Sequence, residues 1–244
     1  MEKEPKSIEK LCVALDTSCL RDALQLADSL AGVVGYFKVG LELFSAAGPA
    51  AVESLVGRGH NVFLDLKLYD IPNTVARAVR QVSTLGASFL TIHASGGVDM
   101  IKAAREAAEK YDTQRLKLLA VTILTSTTEQ TFREIFPVEK SLEQVVLNLA
   151  VTAKNSGADG VVASAREANS LKKHCGNNFI IVTPGIRPEG HKTNDQKRTT
   201  TPTEAITAGS DLLVIGRPIT EDKEPRKIAE QILKEIELAE GKKS

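Results

Sequence analysis

Residues 61–74 read Asn-Val-Phe-Leu-Asp-Leu-Lys-Leu-Tyr-Asp-Ile-Pro-Asn-Thr and predict a β-strand that passes directly into an α-helix. The β-branched and aromatic residues that open the stretch favour a strand, and Pro72 suits the first turn of a helix. Side chains two apart on a strand point the same way, so we expect Asp65 and Lys67 to project together from the strand's C-terminal end. Concentrated charge at such a position indicates a functional site, although a solvated ion pair, or a helix cap at Asp70, would also explain it.

The same alternation of a short apolar strand and a longer amphipathic helix runs through the rest of the chain. Besides the strand in the opening stretch, strands are predicted over residues 11–15, 36–40, 88–92, 116–124, 160–163, 179–182 and 212–215. Helices are predicted over residues 18–31, 46–58, 73–85, 98–110, 142–156, 165–174, 203–208 and 224–240. Continuous apolar strands separated by helices are typical of a parallel sheet that is covered by those helices.

Eight such units in 244 residues predict an α/β fold, namely a (β/α)8 TIM barrel that forms a single domain over residues 1–244. A doubly wound open sheet is the competing architecture. It would be favoured by a Gly-x-Gly-x-x-Gly turn after the first strand, but Asp16-Thr17-Ser18 stands there instead. Residues 1–8 are predicted to be a flexible N-terminal tail, and the long polar segment 188–202 is predicted to be a lid loop.

The composition excludes several classes of protein. Lys+Arg and Asp+Glu both total 31, so the net charge is zero, and no basic stripe for nucleic acid is present. The three cysteines (Cys12, Cys19 and Cys175) are too few and too scattered for a disulfide framework or a metal site, as is usual in a reducing cytoplasm. The N-terminus lacks the apolar core of a signal peptide, and no run approaches the roughly 18 apolar residues of a membrane span. We therefore expect a cytoplasmic protein without a nucleic-acid or membrane partner.

Polar and charged residues stand at the C-terminal ends of nearly all the predicted strands. These residues are Asp16, Lys38, Asp65 with Lys67, His93, Thr125, Arg187 and Gly216 with Arg217, whereas the sixth strand offers only Ser164. Each has an ordinary structural explanation, such as a helix cap at Asp16 or a packing role for His93. In a TIM barrel, however, catalytic residues gather at this face, and so many coincidences favour one shared site.

Phosphate is the ligand class that the last two strand ends indicate. TIM barrels frequently bind phosphate at the loops after strands seven and eight, where this chain supplies Arg187, Gln196, Gly216 and Arg217. Glycine allows close approach of the backbone, and arginine binds phosphate oxygens through two parallel N–H groups. The competing explanation is that Arg217 only begins a helix ahead of Pro218. The four histidines are scattered and no cofactor signature occurs, so we expect neither a metal nor a cofactor.

At these residues the chain closely resembles the orotidine 5′-phosphate decarboxylase family, of the bacterial type. The resemblance runs from Ala14-Leu15-Asp16 to Gly216-Arg217-Pro218-Ile219. Its most specific motifs are Phe63-Leu64-Asp65-Leu66-Lys67-Leu68-Tyr69-Asp70-Ile71-Pro72-Asn73-Thr74 and Thr183-Pro184-Gly185-Ile186-Arg187-Pro188, with support from Phe37-Lys38-Val39-Gly40 and Leu124-Thr125-Ser126. The resemblance implies a carboxy-lyase that converts orotidine 5′-monophosphate to UMP in de novo pyrimidine synthesis without metal or cofactor.

The resemblance also implies a role for each site residue. Asp65 would face the substrate carboxylate, Lys67 would give a proton to C6, and Lys38 with Asp70 would complete a Lys-Asp-Lys-Asp array. Asp70 and Thr74 would reach the site from the other subunit of a homodimer. The remaining assignments are Asp16 and His93 to the ribose, Thr125 to the pyrimidine edge, and Arg187, Gln196, Gly216 and Arg217 to the phosphate, over which residues 188–202 would close.

Two alternatives remain open at this stage. One is an Mg²⁺-dependent sugar-phosphate decarboxylase or aldolase-type synthase of the same superfamily, such as 3-keto-gulonate-6-phosphate decarboxylase or hexulose-phosphate synthase. Those relatives share the Asp-x-Lys-x-x-Asp core but hold the metal with an acid near the end of the second strand, where Lys38 stands. The other is a catalytically silent nucleotide-binding barrel, against which the intact set of charges argues.

Overall fold

Eight parallel strands pair in chain order, and the last pairs with the first to close a barrel. This computed structural model describes residues 6–111, 116–135, 138–188 and 199–241. The strands are β1 (Leu11–Ala14), β2 (Tyr36–Val39), β3 (Val62–Leu68), β4 (Phe89–His93), β5 (Lys117–Val121), β6 (Gly160–Val162), β7 (Ile180–Thr183) and β8 (Leu212–Ile215). The predicted (β/α)8 barrel is confirmed.

Helices follow every strand and cover the outside of the barrel. They are α1 (Leu20–Ser29), α2 (Leu41–Ala47), α3 (Pro49–Gly57), α4 (Pro72–Val82), α5 (Gly97–Tyr111), α6 (Glu129–Ile135), α7 (Leu142–Asn155), α8 (Ala165–Cys175), α9 (Pro202–Ala208), α10 (Arg217–Thr220) and α11 (Pro225–Gly241), with short 3-10 helices at Ser7–Lys10 and Ala94–Gly96. Within the described ranges, none of these helices is both long enough and apolar enough to cross a membrane.

The barrel interior is filled by side chains that alternate with those facing the helices. The interior cluster consists of Cys12, Ala14, Phe63, Phe89, Leu119, Val182, Leu212 and Val214. The rings of Phe63 and Phe89 meet edge to face with their centroids 6.0 Å apart. This cluster forms the floor of the C-terminal opening of the barrel. Because inward positions recur every second residue, the next inward positions toward that opening are Asp16, Asp65 and Thr91. The floor thus sets which side chains reach the C-terminal opening of the barrel.

The structure corrects two element boundaries. The fifth strand, predicted over residues 116–124, ends at Val121 because its last pairing partner is Val162, the final residue of the short β6. The helix predicted over residues 46–58 is two helices, because Gly48 takes a φ of +60° and Pro49 then begins α3. Glycine adopts this left-handed backbone region without the penalty that a side chain would bring.

The two segments predicted to lie outside the barrel pattern overlap regular structure at their described ends. Ser7 and Ile8, in the predicted tail over residues 1–8, belong to a 3-10 helix, and the Ser7 hydroxyl donates to Glu240 at 2.5 Å. At the end of the predicted lid over residues 188–202, Thr200 forms a bridge to Ile186, and Pro202 begins α9. Residues 1–5 and 189–198 lie outside the described part of the chain.

The end of β6 has a structural role. Ser164 is the N-cap of α8, where its hydroxyl accepts from the Arg166 N–H while Glu167 accepts from the Ser164 N–H at 2.7 Å. This reciprocal capping box satisfies amide groups that a helix start leaves without partners. The sixth strand end therefore supports the helix that follows it, which explains why it offers no charged group to the opening of the barrel.

Candidate active site

A cavity of about 330 Å³ opens at the C-terminal ends of the strands. It is lined by Ala14, Asp16, Lys38, Phe63, Asp65, Lys67, Val121, Ile123, Leu124, Thr125, Ser126, Val162, Pro184, Gly185, Arg187, Val214, Gly216 and Arg217. Its floor is apolar and shares Ala14, Phe63 and Val214 with the barrel interior. The polar side chains therefore stand on a packed base, which limits their freedom to move.

Strand β3 is distorted where it carries the charged pair. Its pairing with β4 moves from Leu64 opposite Leu90 to Leu68 opposite Ile92, so four steps along β3 match two steps along β4. Within this bulge Lys67 has a φ of +50°, and no other described non-glycine residue has a positive φ. The Lys67 ammonium lies 2.9 Å from Oδ1 of Asp65. The predicted pairing of the two side chains thus occurs, but through a bulge rather than through regular strand alternation.

Lys38 lies between two carboxylates at the end of β2. Its Nζ is 3.1 Å from Oδ1 of Asp16 and 3.7 Å from Oδ2 of Asp65. Burial lowers the pKa of Lys38, but the nearby carboxylates of Asp65 and Asp16 together outweigh burial, so the pKa is raised above its usual value. The Lys38 side chain is therefore a fixed cation at neutral pH.

The hydroxyl of Thr91 joins the backbone and the side chain of the bulge. It accepts a hydrogen bond from the Lys67 N–H at 2.8 Å and donates one to Oδ1 of Asp65 at 2.9 Å. Thr91 is fully buried in β4. Asp65 is thereby held by three neighbours: Lys38, Lys67 and Thr91.

Two arginines form the end of the cavity nearest β7 and β8. Burial, followed by repulsion from the Arg217 guanidinium, lowers the pKa of Arg187, with a smaller opposing effect from Glu221. Arg187 donates through Nη1 to the Ile186 carbonyl at 2.8 Å, while its Nε is buried without a hydrogen-bond partner. An arginine remains protonated in any such environment. A buried cation beside a second, half-buried one is suited to binding an anion that supplies the missing acceptor.

Of the twelve predicted site residues, eight line this cavity, three described ones do not, and one lies outside the described residues. The eight are Asp16, Lys38, Asp65, Lys67, Thr125, Arg187, Gly216 and Arg217. His93 is half-buried and packs against Tyr69 with the ring centroids 5.5 Å apart. Asp70 and Thr74 are exposed beyond the end of β3, and Gln196 lies outside the described residues.

Asp70 does not cap helix α4 in the structure. The N-cap of α4 is Ile71, which makes no side-chain cap bond, and the Asp70 carboxylate accepts from the N–H of its neighbour Ile71 at 2.7 Å. The helix-cap explanation of Asp70 is therefore wrong. Its carboxylate, one residue before the N-cap, remains exposed to solvent.

Thr91 and Ser126 were not predicted as site residues. Ser126 lines the cavity next to Thr125, and its signal was its place in the Leu124-Thr125-Ser126 motif. Thr91 is the one polar residue in Phe89-Leu90-Thr91-Ile92, which is otherwise apolar. A polar residue at an inward position of a buried strand is the signal that could have found it. Among the described residues, no group of three or more His, Cys, Asp or Glu side chains is placed to hold a metal ion.

Comparisons with known proteins indicate one family. A family model described as orotidine 5′-phosphate decarboxylase / HUMPS family matches residues 9–232. The orotidine 5′-phosphate decarboxylase of Geobacter sulfurreducens is 48% identical over 230 residues, which cover 93% of this chain and 96% of that protein. The enzyme of the same name from Moorella thermoacetica is 46% identical over 234 residues, covering 94% of this chain and 93% of the relative.

Solved structures show the same likeness. The crystal structure of orotidine 5′-phosphate decarboxylase from Lactobacillus acidophilus superposes with a TM-score of 0.82 at 38% identity, covering 93% of this chain and 98% of that one. A protein from Geobacillus kaustophilus, described as an uncharacterized conserved protein, superposes with a TM-score of 0.81 at 38% identity, covering 93% of this chain and 99% of that one. The chain therefore belongs to the orotidine 5′-phosphate decarboxylase / HUMPS family.

Proposed function

We propose that this protein decarboxylates orotidine 5′-monophosphate to UMP, the closing step of de novo pyrimidine nucleotide synthesis. The observation that carries the proposal is the Asp65 carboxylate fixed between the Lys38 and Lys67 ammonium groups above an apolar floor. The relatives that share most of the chain are named for this activity. We also propose that the reaction needs neither metal nor cofactor, because the charges at β3 supply the required electrostatics.

In the proposed mechanism, Lys67 acts on the carbon that loses the carboxylate. The bond from C6 to the carboxylate breaks, CO2 leaves uncharged, and the electron pair stays on C6. A preorganised ammonium stabilises that pair as it forms and then donates a proton to C6, after which Lys67 regains a proton from water. Because Lys67 is held against Asp65 at 2.9 Å, the ammonium needs little reorganisation at the moment of reaction.

Asp65 would face the carboxylate that departs. Two carboxylates at close distance repel, and this repulsion is released when CO2 leaves without charge. The contact with Lys38 keeps Asp65 in place on its other side, at 3.7 Å. Asp16 and His93 are proposed to contact the ribose and Thr125 the pyrimidine edge. Of these three, His93 has the least support, because it does not line the cavity.

The phosphate of the substrate would bind at the opposite side of the barrel. Strand β7 is four strands away from β3 in either direction around the barrel. The cations of Arg187 and Arg217, the backbone at Gly216 and the proposed contact from Gln196 would hold the dianion there. Closure of residues 188–202 over the phosphate would convert its binding energy into orientation of the reacting ring.

We further propose a homodimer in which Asp70 and Thr74 complete the neighbour's site. Both residues are exposed, and Asp70 is flanked by Tyr69 and Ile71, whose exposed fractions are 62% and 67%. Two large exposed apolar side chains beside the opening of a cavity favour burial against another protein surface. A cytoplasmic location is proposed as well, since the three cysteines are free thiols.

An ultraviolet assay of orotidine 5′-monophosphate turnover by purified, chelator-treated protein tests the central proposal. We expect turnover by the wild type and loss of it in Lys67→Ala. Absence of turnover by folded wild-type protein would refute the proposal. Loss of wild-type activity on chelation, with recovery on adding Mg²⁺, would instead support the sugar-phosphate branch of the family.

Mixing two inactive variants tests the shared site. Lys67→Ala and Asp70→Ala damage different subunits of a shared site, so mixed dimers should contain one intact site and regain activity. Subunit exchange is verified first with differently tagged chains. A mixture that stays as inactive as both parents after exchange would count against a contribution of Asp70 across the interface.

A further inference from the structure

We propose that Thr91 is a positioning residue that sets the relative placement of Asp65 and the backbone of Lys67. The inference rests on the proposed decarboxylation for its catalytic consequence, but its structural content stands on the hydrogen bonds of β4. Thr91 is not among the residues that line the cavity, so it acts through its two neighbours rather than on the substrate.

The chemistry of the three groups fixes the direction of both hydrogen bonds. A backbone N–H can only donate, and a carboxylate oxygen accepts, so the hydroxyl must accept from Lys67 and donate to Asp65. The two distances are 2.8 Å and 2.9 Å. The same Oδ1 of Asp65 also receives the Lys67 ammonium at 2.9 Å. Backbone, hydroxyl, carboxylate and ammonium therefore form a closed ring that contains both reacting side chains.

The bulge explains why a side chain is needed at this point. In a regular parallel pair the Lys67 N–H would reach a carbonyl of β4, but the register slips between Leu64 and Leu68. The Thr91 hydroxyl takes the place of that carbonyl. A buried N–H without a partner costs about 1–3 kcal/mol, so the hydroxyl stabilises the backbone that carries Lys67 at a φ of +50°.

Threonine suits this position better than the other small residues. Its β-branch restricts χ1, which holds the hydroxyl in one direction. Its methyl group suits a buried strand, and the adjacent residues Leu90 and Ile92 are fully buried. Serine would keep the hydrogen bonds but would let the hydroxyl rotate more freely. Valine would keep the shape of threonine without the hydrogen bonds. The two substitutions therefore separate the contribution of the hydrogen bonds from that of the side-chain shape.

The catalytic test compares Thr91→Val and Thr91→Ser with Thr183→Val. Thr183 is also fully buried, and its hydroxyl pairs with the Ser210 hydroxyl at 2.7 Å, away from the bulge. Thr91→Val should lower kcat on the order of 10- to 100-fold, as expected for an unsatisfied buried group, with KM changed by less than about 3-fold. Thr91→Ser should recover most of kcat, and Thr183→Val should leave it unchanged.

Amide hydrogen exchange at Lys67 gives a readout that does not depend on activity. Thr91→Val should speed exchange of the Lys67 N–H by about 10-fold or more relative to wild type, whereas Thr91→Ser and Thr183→Val should not. If the valine variant does not fold, Thr91→Ala takes its place with the same expectation.

The outcomes separate this inference from the proposed function. Inactive wild-type protein overturns the decarboxylase proposal, and the exchange measurement then still decides the role of Thr91. Active wild-type protein, together with a folded Thr91→Val variant that has normal kcat or normal Lys67 exchange, overturns the positioning role. An equal loss of kcat in Thr183→Val would show that Thr91 acts only through packing.

Discussion

The ammonium of Lys38 occupies the space that a side chain on Gly40 would need. A Cβ built on Gly40 would lie 2.8 Å from Nζ of Lys38 and 3.5 Å from Oδ1 of Asp16. The backbone of Gly40, with φ −94° and ψ −171°, is open to any residue. Glycine is therefore required here for the position of a neighbouring cation and not for its own backbone conformation.

Gly40→Ala should leave the fold intact and damage the site. The Lys38 side chain is long enough to move aside, but it would then leave its contacts with Asp16 and Asp65. A misplacement of about 1 Å can cost on the order of 100-fold, so we expect kcat/KM to fall by about 10- to 100-fold. Gly57→Ala is the matched control, because nothing lies within 4 Å of a Cβ in that helical position. Equal activity of the two variants would contradict this role of Gly40.

His93 should make the stability of the protein depend on pH. Burial, then the ammonium of Lys67, lowers the pKa of His93, with a weaker opposing effect from Asp65. The unfolded chain therefore takes up this proton first as the pH falls below about 6.5, and the folded state loses stability in that range until the pH passes its own lowered pKa. Above the unfolded value the contribution is fully present.

Urea unfolding of the wild type and of His93→Gln between about pH 7.5 and about pH 5.5 measures this effect. The free energy of unfolding of the wild type, taken relative to that of the variant, should decrease as the pH falls. A difference that stays constant or grows over this range would show that His93 is not held in its neutral form by the folded structure.

Residues at the site differ in how well the sequence alone predicts them. Asp16, Lys38 and Arg187 lie at or shortly beyond the C-terminal ends of apolar strands, so the barrel pattern alone brings them to one opening. His93 also ends a strand, yet its ring packs on Tyr69, because the sequence does not show which neighbour a half-buried ring will choose. Thr91 was missed because a single hydroxyl within an apolar strand is also compatible with an ordinary core position.

At the scale of elements, the bulge in β3 is the feature that sequence periodicity predicts least well. Alternation places Asp65 and Lys67 on one face, and the structure brings them together, but with Lys67 in a left-handed conformation. This conformation costs a non-glycine residue roughly 1–2 kcal/mol. Helices are predicted more readily: the apolar spacing of α4 at Val75, Val79 and Val82 matches its buried face.

Replacing Lys67 by glycine and by alanine should reveal the strain in β3. Both variants lose the ammonium and should be inactive. Glycine adopts a positive φ freely, so Lys67→Gly should be more stable than Lys67→Ala by roughly 1 kcal/mol, despite the greater flexibility of glycine when unfolded. Thermal or urea unfolding measures the difference. An alanine variant as stable as the glycine variant would mean that the bulge relaxes when the side chain is shortened.

At the scale of the whole molecule, two aspartate ion pairs lie at the end of the barrel opposite to the cavity. Asp159 precedes β6 at the N-terminal face, where it pairs with Arg105 at 2.8 Å and accepts from the Leu118 N–H at 2.8 Å. Asp211 precedes β8 and repeats the arrangement, pairing with Lys172 at 2.7 Å and accepting from the Ile181 N–H at 2.7 Å. Each aspartate thus connects a helix and a neighbouring strand of the barrel, away from the cavity.

Asp159→Ala should destabilise the protein without altering its chemistry. The substitution removes the 2.8 Å partner of the largely buried Arg105 guanidinium, which keeps its contact with Glu109 at 3.3 Å, so we expect a cost near the lower end of about 3–5 kcal/mol. Glu129→Ala removes an exposed pair with Arg133 and should cost under about 1 kcal/mol, which makes it the control. Activity per folded molecule should be normal in both. A lower kcat in folded Asp159→Ala protein would show that the two ends of the barrel are coupled.

The eight repeated units made the barrel predictable, because each buries its apolar strand only by packing against its neighbours. The full set of residues that form the proposed site was harder to predict. Asp70 and Thr74 are exposed in one chain, so only the family resemblance gave them a role. The physical properties of a single sequence do not identify the groups that a second subunit would bring.

The charges of the cavity are unevenly distributed, and this has a consequence for turnover. The cavity lining holds Lys38 and Lys67 together with the acids Asp16 and Asp65 at one end, whereas the described lining after β7 and β8 includes Arg187 and Arg217 and no acid. Under the proposed function, the phosphate at that end is unchanged by the reaction, so the arginines bind reactant and product equally well. UMP should therefore be a competitive inhibitor, and its departure, rather than bond cleavage, is the step that the arginine pair slows.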